Sequence, residues 1–247
     1  DELEGLSIHD RRSLETPYGP PSDDVCLGTL NGQELVFLAR HGRDHRFAPH
    51  AINYRANIAA LCQVGVSSVL AVAAVGGIRQ DYAPGNIGIP DQIIDYTWGR
   101  AHSFSSEGDV RHIEFTQPYD SGLRAQLIDI AEKSGLECVT DGVYGCTQGP
   151  RLESAAEIAR LRRDGCDVVG MTAMPEAALA REAGLRYAGI AVSINWAAGV
   201  GGSGGLSDAS HDASESDAGG IHAQIEQHLE SGMSKVRQLI TALINAQ

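Results

Sequence analysis

Residues 68–75 run apolar through Val69, Leu70, Ala71, Val72, Ala73, Ala74 and Val75, without the alternation of a strand that keeps one face wet. Such a run reads as a strand buried on both faces, and that kind of strand needs helices above and below its sheet. The flanking sequence supplies them. Residues 54–63 carry Ala, Ile and Leu on one side of a helix, and helix and strand patterns go on alternating at 123–134, 138–142 and 186–194. Leu35, Val36, Phe37 and Leu38 form a strand that delivers Arg40, His41 and His45 into a loop. Residues 221–246 read as a closing amphipathic helix with Ile225, Leu229, Met233, Val236, Leu239 and Ile240 on its buried side. The alternation predicts an α/β chain: one single-domain αβα sandwich over residues 1–247, with a mixed, mostly parallel central sheet flanked by helices.

Two dense blocks, Gly149-Pro150-Arg151-Leu152-Glu153 and Gly170-Met171-Thr172-Ala173-Met174-Pro175-Glu176, lie one helix and one strand apart. Residues 155–163 are good helix formers with apolar side chains three and four apart, and Gly165 suits the helix end. Asp167, Val168 and Val169 then read as a short buried strand. Ligands gather where strands of an open α/β sheet end, so this spacing can bring both blocks to one site. The same residues also fit a plain turn and helix start, with Thr172 near the N-cap and Pro175 and Glu176 in the first turn. Residues 199–220 differ in kind, Gly/Ser-rich and then Ser/Asp-rich, and are expected to form a mobile loop, either a surface insertion or a lid.

A formal charge of −13 argues against a nucleic-acid partner, because no basic stripe offsets the repulsion from a phosphate backbone. It leaves room for a small anion held by a few local donors. No apolar run approaches the ~20 residues of a membrane helix, so no membrane partner is expected. The five cysteines, Cys26, Cys62, Cys138, Cys146 and Cys166, are odd in number and lack metal-ligand spacing. Reduced thiols in a cytoplasmic protein follow as the expectation, with no metal.

Together with the two blocks, Arg40-His41-Gly42, Asn53-Tyr54-Arg55-Ala56-Asn57, Ala73-Ala74-Val75-Gly76-Gly77 and Asp91-Gln92 occur in order. These motifs resemble the trimeric purine nucleoside phosphorylase and methylthioadenosine phosphorylase family, in register from about Leu3 onward, and within it the S-methyl-5′-thioinosine branch. The resemblance implies a homotrimer and phosphate-dependent cleavage of a nucleoside's N-glycosidic bond. Inorganic phosphate is then a co-substrate, and no organic cofactor is needed. In the family a first strand and a glycine-rich phosphate loop precede the segment that matches Leu3-Glu4-Gly5, so that part is expected to be missing from this numbering.

The family's phosphate contacts fall on Arg40, His41, Ala74 and Thr172. Arg40 offers a planar fork of donors, and the backbone amides of Ala74, Val75 and Gly76 are expected to form an anion nest. Ala73 departs from the pattern, standing where relatives often carry a hydroxyl. Met171 matches a residue packed on the ribose, and His112 matches one that reaches into a neighbouring subunit's site. For the base, Glu153 can accept from N1–H of a 6-oxopurine and Asn195 can donate to N7 or O6. Adenine-specific relatives place an aspartate at the position of Asn195 and lack the glutamate, and a buried mismatch costs about 1–3 kcal/mol. Hypoxanthine or guanine is therefore expected over adenine. Leu152 stands where relatives often stack a phenylalanine, which makes the stack aliphatic. His222 matches a position that is apolar in methylthio-nucleoside enzymes and histidine in inosine-type enzymes, so both 5′ substituents stay open.

On this resemblance Asn195, Glu153 and His41 carry catalysis. Phosphate displaces the purine directly at C1′, and Asn195 stabilises the departing base. No side-chain nucleophile is implied, so Cys146 and Ser154 need not react. A purine-binding protein without turnover is the alternative from another class.

Overall fold

A computed structural model describes residues 3–200 and 215–246, with the side chains of the last helix described from residue 224. Strands β1 (Ser7–Arg12), β2 (Val25–Leu30) and β3 (Gln33–Phe37) form an antiparallel three-stranded sheet. A six-stranded sheet combines β4 (Ser68–Gly77), β5 (Ile87–Gly88), β6 (Gln92–Asp95), β7 (Val143–Cys146), β8 (Val168–Gly170) and β9 (Arg186–Trp196) in the order β5-β9-β4-β8-β7-β6. The β4/β9, β6/β7 and β7/β8 pairs are parallel, whereas β4/β8 and β5/β9 are antiparallel, so the sheet is mixed and mostly parallel as expected.

Helices α1 (Tyr54–Gln63), α2 (Ser121–Lys133), α3 (Ala155–Arg163), α4 (Ala173–Glu182) and α5 (Glu215–Asn245) pack around it. β9 shows why both faces need cover. Tyr187 and Ala191 enter the core shared with α1 and α4, while Ala188, Ile190 and Val192 enter the core shared with α2 and α5. Local signals set the helix ends. The Asn53 side chain accepts from Ala56 N at the start of α1, Ser154 and Glu157 form a capping box on α3, and Gly165 follows α3 at φ +95°.

Four expectations need correction. The strand placed at 138–142 begins only at Val143. Arg124 and Tyr82 take the carbonyls of Thr140 and Asp141, so side chains hold that stretch, and only Val139 bridges to Gly88. The run at 68–75 continues to Gly77 and is not covered throughout, because Ala74 is exposed. Leu229 is exposed too: the buried seam of α5 starts further on, at Val236, Leu239 and Leu243. The loop expected at 199–220 lies outside the described residues from 201 to 214, and its last part, 215–220, is helix: α5 starts at Glu215 rather than at residue 221. No described helix is long and apolar enough to cross a membrane.

Candidate active site

The loop after β3 carries Arg40 towards the start of α4. One edge of its guanidinium grips Glu176, Nε to Oε2 at 2.6 Å and Nη2 to Oε1 at 3.1 Å, while Nη1 donates to the Val72 carbonyl at 3.1 Å. Tyr187 on β9 donates its hydroxyl to Glu176 Oε1 at 2.9 Å. The Arg40 and Glu176 side chains are only 16% and 8% exposed. Burial works against the Arg40 charge, but the carboxylate beside it more than offsets this and holds the guanidinium cationic. Three of its five N–H groups are engaged by these partners, which leaves two for an anion.

Thr172 stands at the N-cap of α4, yet its hydroxyl makes no capping hydrogen bond, because Met174 leaves helical geometry at φ −117°, ψ 137°. Arg40, Ala73, Tyr144, Thr172 and Tyr187 line one small cavity. The Tyr144 hydroxyl is buried there without a hydrogen bond of good geometry. His41 lies beside this group. Its Nδ1 is 2.9 Å from the Phe47 carbonyl and its ring stacks on His45 at 4.0 Å. Burial, then the neighbouring His45 and Arg40 charges, lower its pKa.

The other group of residues, around Glu153 and Asn195, is carried largely by loops. Beyond β7, Thr147 N donates to the Gly170 carbonyl at 2.8 Å, which ties the first block to the end of β8. Thr147 Oγ1 donates to Glu153 Oε1 at 2.5 Å, fixing that carboxylate with Oε2 left to accept. Gly149 has φ +60°, and a Cβ there would collide with Met171 Sδ, so the two blocks touch because this residue has no side chain. Asn195 pairs in register with Gly76 across β9 and β4, and its amide donates to the Trp196 carbonyl at 2.7 Å. A second amide hydrogen and the amide oxygen remain for a ligand. Leu152 is 66% exposed beside Glu153.

Arg100, which nothing local in the sequence marks, sits between the two blocks. It is buried, and its donors reach the carbonyls of Thr147, Gln148, Met171 and Met174. Cys146 lies beneath the same turn, accepting from Met174 N at 3.2 Å, and burial pushes its thiol up to about 12. It is a packed thiol rather than a nucleophile.

The profile of the Phosphorylase superfamily matches residues 1–245. The chain belongs to this superfamily. It is 47% identical over 247 residues to a probable S-methyl-5′-thioinosine phosphorylase from Pseudomonas syringae pv. tomato, covering 99% of this chain and 94% of that one. A 6-oxopurine nucleoside phosphorylase from Pyrococcus furiosus is 45% identical over 197 residues, 77% of this chain and 74% of that one. The fold matches methylthioadenosine phosphorylase from Schistosoma mansoni in complex with adenine, with a TM-score of 0.87 and 28% identity over 100% of this chain and 89% of that one.

In this phosphorylase the structure gathers Arg40, Thr172 and Ala73 around one cavity, and it sets Glu153 and Met171 on adjoining turns. Ala74 is exposed nearby, but the expected nest is absent. Residues 74–76 are strand, paired with Val192, Ser193 and Asn195 across a bulge, and lack the alternating turn geometry that a nest requires. His112 is exposed on the irregular segment after β6 and does not line the cavity. The side chain of His222 lies outside the described residues. The pairing of Arg40 with Glu176, which Tyr187 also holds, was hidden by sequence separation, since Arg40 and Glu176 are 136 positions apart. Among the described residues no His/Cys/Asp/Glu group could hold a metal ion.

Proposed function

We propose that the chain is a purine nucleoside phosphorylase for 6-oxopurine nucleosides, with S-methyl-5′-thioinosine as substrate and hypoxanthine and 5-methylthioribose 1-phosphate as products. The observation that carries this is Arg40, locked on a Glu176 carboxylate that Tyr187 also holds and with two N–H groups left over, beside a Thr172 hydroxyl that makes no capping bond. Phosphate binds there with His41 at its side and Ala74 below. Met171 packs on the sugar, while Glu153 Oε2 accepts from the purine N1–H and Asn195 donates as the base departs. Leu152 lies against the purine face. Holding phosphate in line with C1′ supplies much of the rate, and the donors aimed at the developing charge supply more. No metal or organic cofactor enters these steps.

We take the working form to be a cytoplasmic homotrimer. Trp98, Val110 and Leu152 are large exposed apolar side chains, and a neighbouring copy that covers them would bring its His112 near the site. His222 favours a second substrate, inosine or guanosine with a 5′-hydroxyl. Initial rates with S-methyl-5′-thioinosine, inosine and adenosine, each with and without phosphate, decide among these. Turnover should need phosphate and favour methylthioinosine. Phosphate-independent turnover, equal use of adenosine, or hypoxanthine binding without turnover would each overturn the proposal.

A further inference from the structure

Arg100 is 9% exposed, and among the described residues its hydrogen-bond partners include no carboxylate. Nη1 donates to the Met171 carbonyl at 2.8 Å and the Met174 carbonyl at 2.5 Å, and lies 3.3 Å from the Tyr54 hydroxyl. Nη2 donates to the carbonyls of Gln148 at 2.8 Å and Thr147 at 3.2 Å, and Nε to Gln148 Oε1 at 3.2 Å. A planar, permanently charged fork can satisfy so many divergent acceptors at once, whereas an ammonium cannot. Tyr54 passes the connection on by donating to the Pro49 carbonyl at 2.9 Å, in the loop that also carries Arg40 and His41.

These contacts link the segments that hold different parts of a nucleoside and its attacking anion. Thr147 and Gln148 lead to Glu153, Met171 and Met174 bracket Thr172, and Pro49 belongs to the loop of Arg40. We propose that Arg100 is a positioning residue that locks the base loop to the sugar and phosphate turn, so that purine, C1′ and phosphate stand in line. It touches none of the reacting atoms. Its loss loosens the distance between two half-sites while leaving each half-site formed.

This rests on the phosphorylase reading, and the test separates the two. Arg100→Gln and Arg100→Lys are compared with the parent by urea denaturation, by separate titrations with hypoxanthine and inorganic phosphate, and by kcat and KM for S-methyl-5′-thioinosine. In folded Arg100→Gln, kcat should fall about 100-fold, the size expected when alignment is lost, while each separate affinity changes by less than about threefold. Arg100→Lys should recover no more than about a tenth of the parent rate, because one ammonium spans fewer carbonyls. A kcat within about threefold of the parent, or separate affinities that fall as far as kcat, would overturn the assignment. Should Arg100→Gln not fold, Arg100→Lys and Gln148→Met carry the same readouts, and Gln148→Met should show a smaller loss of the same kind. A parent without turnover counts against the phosphorylase reading alone. Arg100 is then judged by the mutual strengthening of hypoxanthine and phosphate binding, which should be present in the parent and gone in the variant.

Discussion

The two ends of the site are made differently. At the end proposed for phosphate, Arg40, Glu176, Thr172 and Tyr187 are buried or nearly so, and Glu176 holds Arg40 and Tyr187 together across β9, α4 and the loop after β3. At the end proposed for the base, Glu153 and Asn195 are half-buried and bonded to close neighbours, Thr147 and Trp196, and Leu152 stands out in solvent. A charge placed in the core needs its partner to keep it there, which makes the phosphate end rigid and its residues poorly exchangeable. Side chains on exposed loops can change with little cost to the fold, so on the proposed assignment a change of base preference is cheaper than a change at the anion site.

The largest break in this contrast is Glu176→Gln. It leaves the buried Arg40 guanidinium without a counter-charge and should cost about 3 kcal/mol by urea denaturation, with phosphorolysis falling in parallel. A loss under about 1 kcal/mol would mean that the phosphate end is no more built into the core than the base end.

Asn195→Asp should spare stability and move the rate ratio of 6-amino to 6-oxo nucleosides upward by about 10- to 100-fold, the scale of one buried hydrogen-bond mismatch. An unchanged ratio in competing-substrate assays would show that Asn195 does not address the base.

The smallest effect belongs to His41. Its pKa is lowered, first by burial and then by His45 and Arg40, with the Phe47 carbonyl and Glu176 acting the other way. The fold therefore favours the neutral ring. That contribution is complete above the ordinary histidine value of about 6.5 and is lost as pH falls below it towards the lowered value. His41→Gln should flatten the decline of the urea midpoint across that interval. An identical slope in parent and variant would show that His41 is not the group responsible.

Local signals made much of the fold legible. α1 lies where the apolar spacing of residues 54–63 put it, and α3 is bounded by Ser154 and Gly165 as helix-end chemistry requires. β5 spans only Ile87–Gly88, too short to produce a period. The error at 138–142 has a related cause, since an apolar pair before a turn looks like a strand until side chains from elsewhere take its carbonyls. The site was legible as a set of residue types, which family motifs carry. Its partners were not, because Glu176 and Tyr187 meet Arg40 only across the folded core.

By itself the sequence determined the class of fold, the position of most helices and the residues that could address phosphate, sugar and purine. Those follow from hydrophobic period, capping and donor chemistry, which act over a few positions. Tertiary structure alone decided that Ala74 lies in a strand rather than a nest, that Arg40 is paired with Glu176, and that Arg100 bonds both the turn at 147–148 and the block at 171–174. A hydrogen bond between residues far apart in the chain leaves no trace in the local pattern around either one, and only the packed sheet brings its donor within reach of its acceptor.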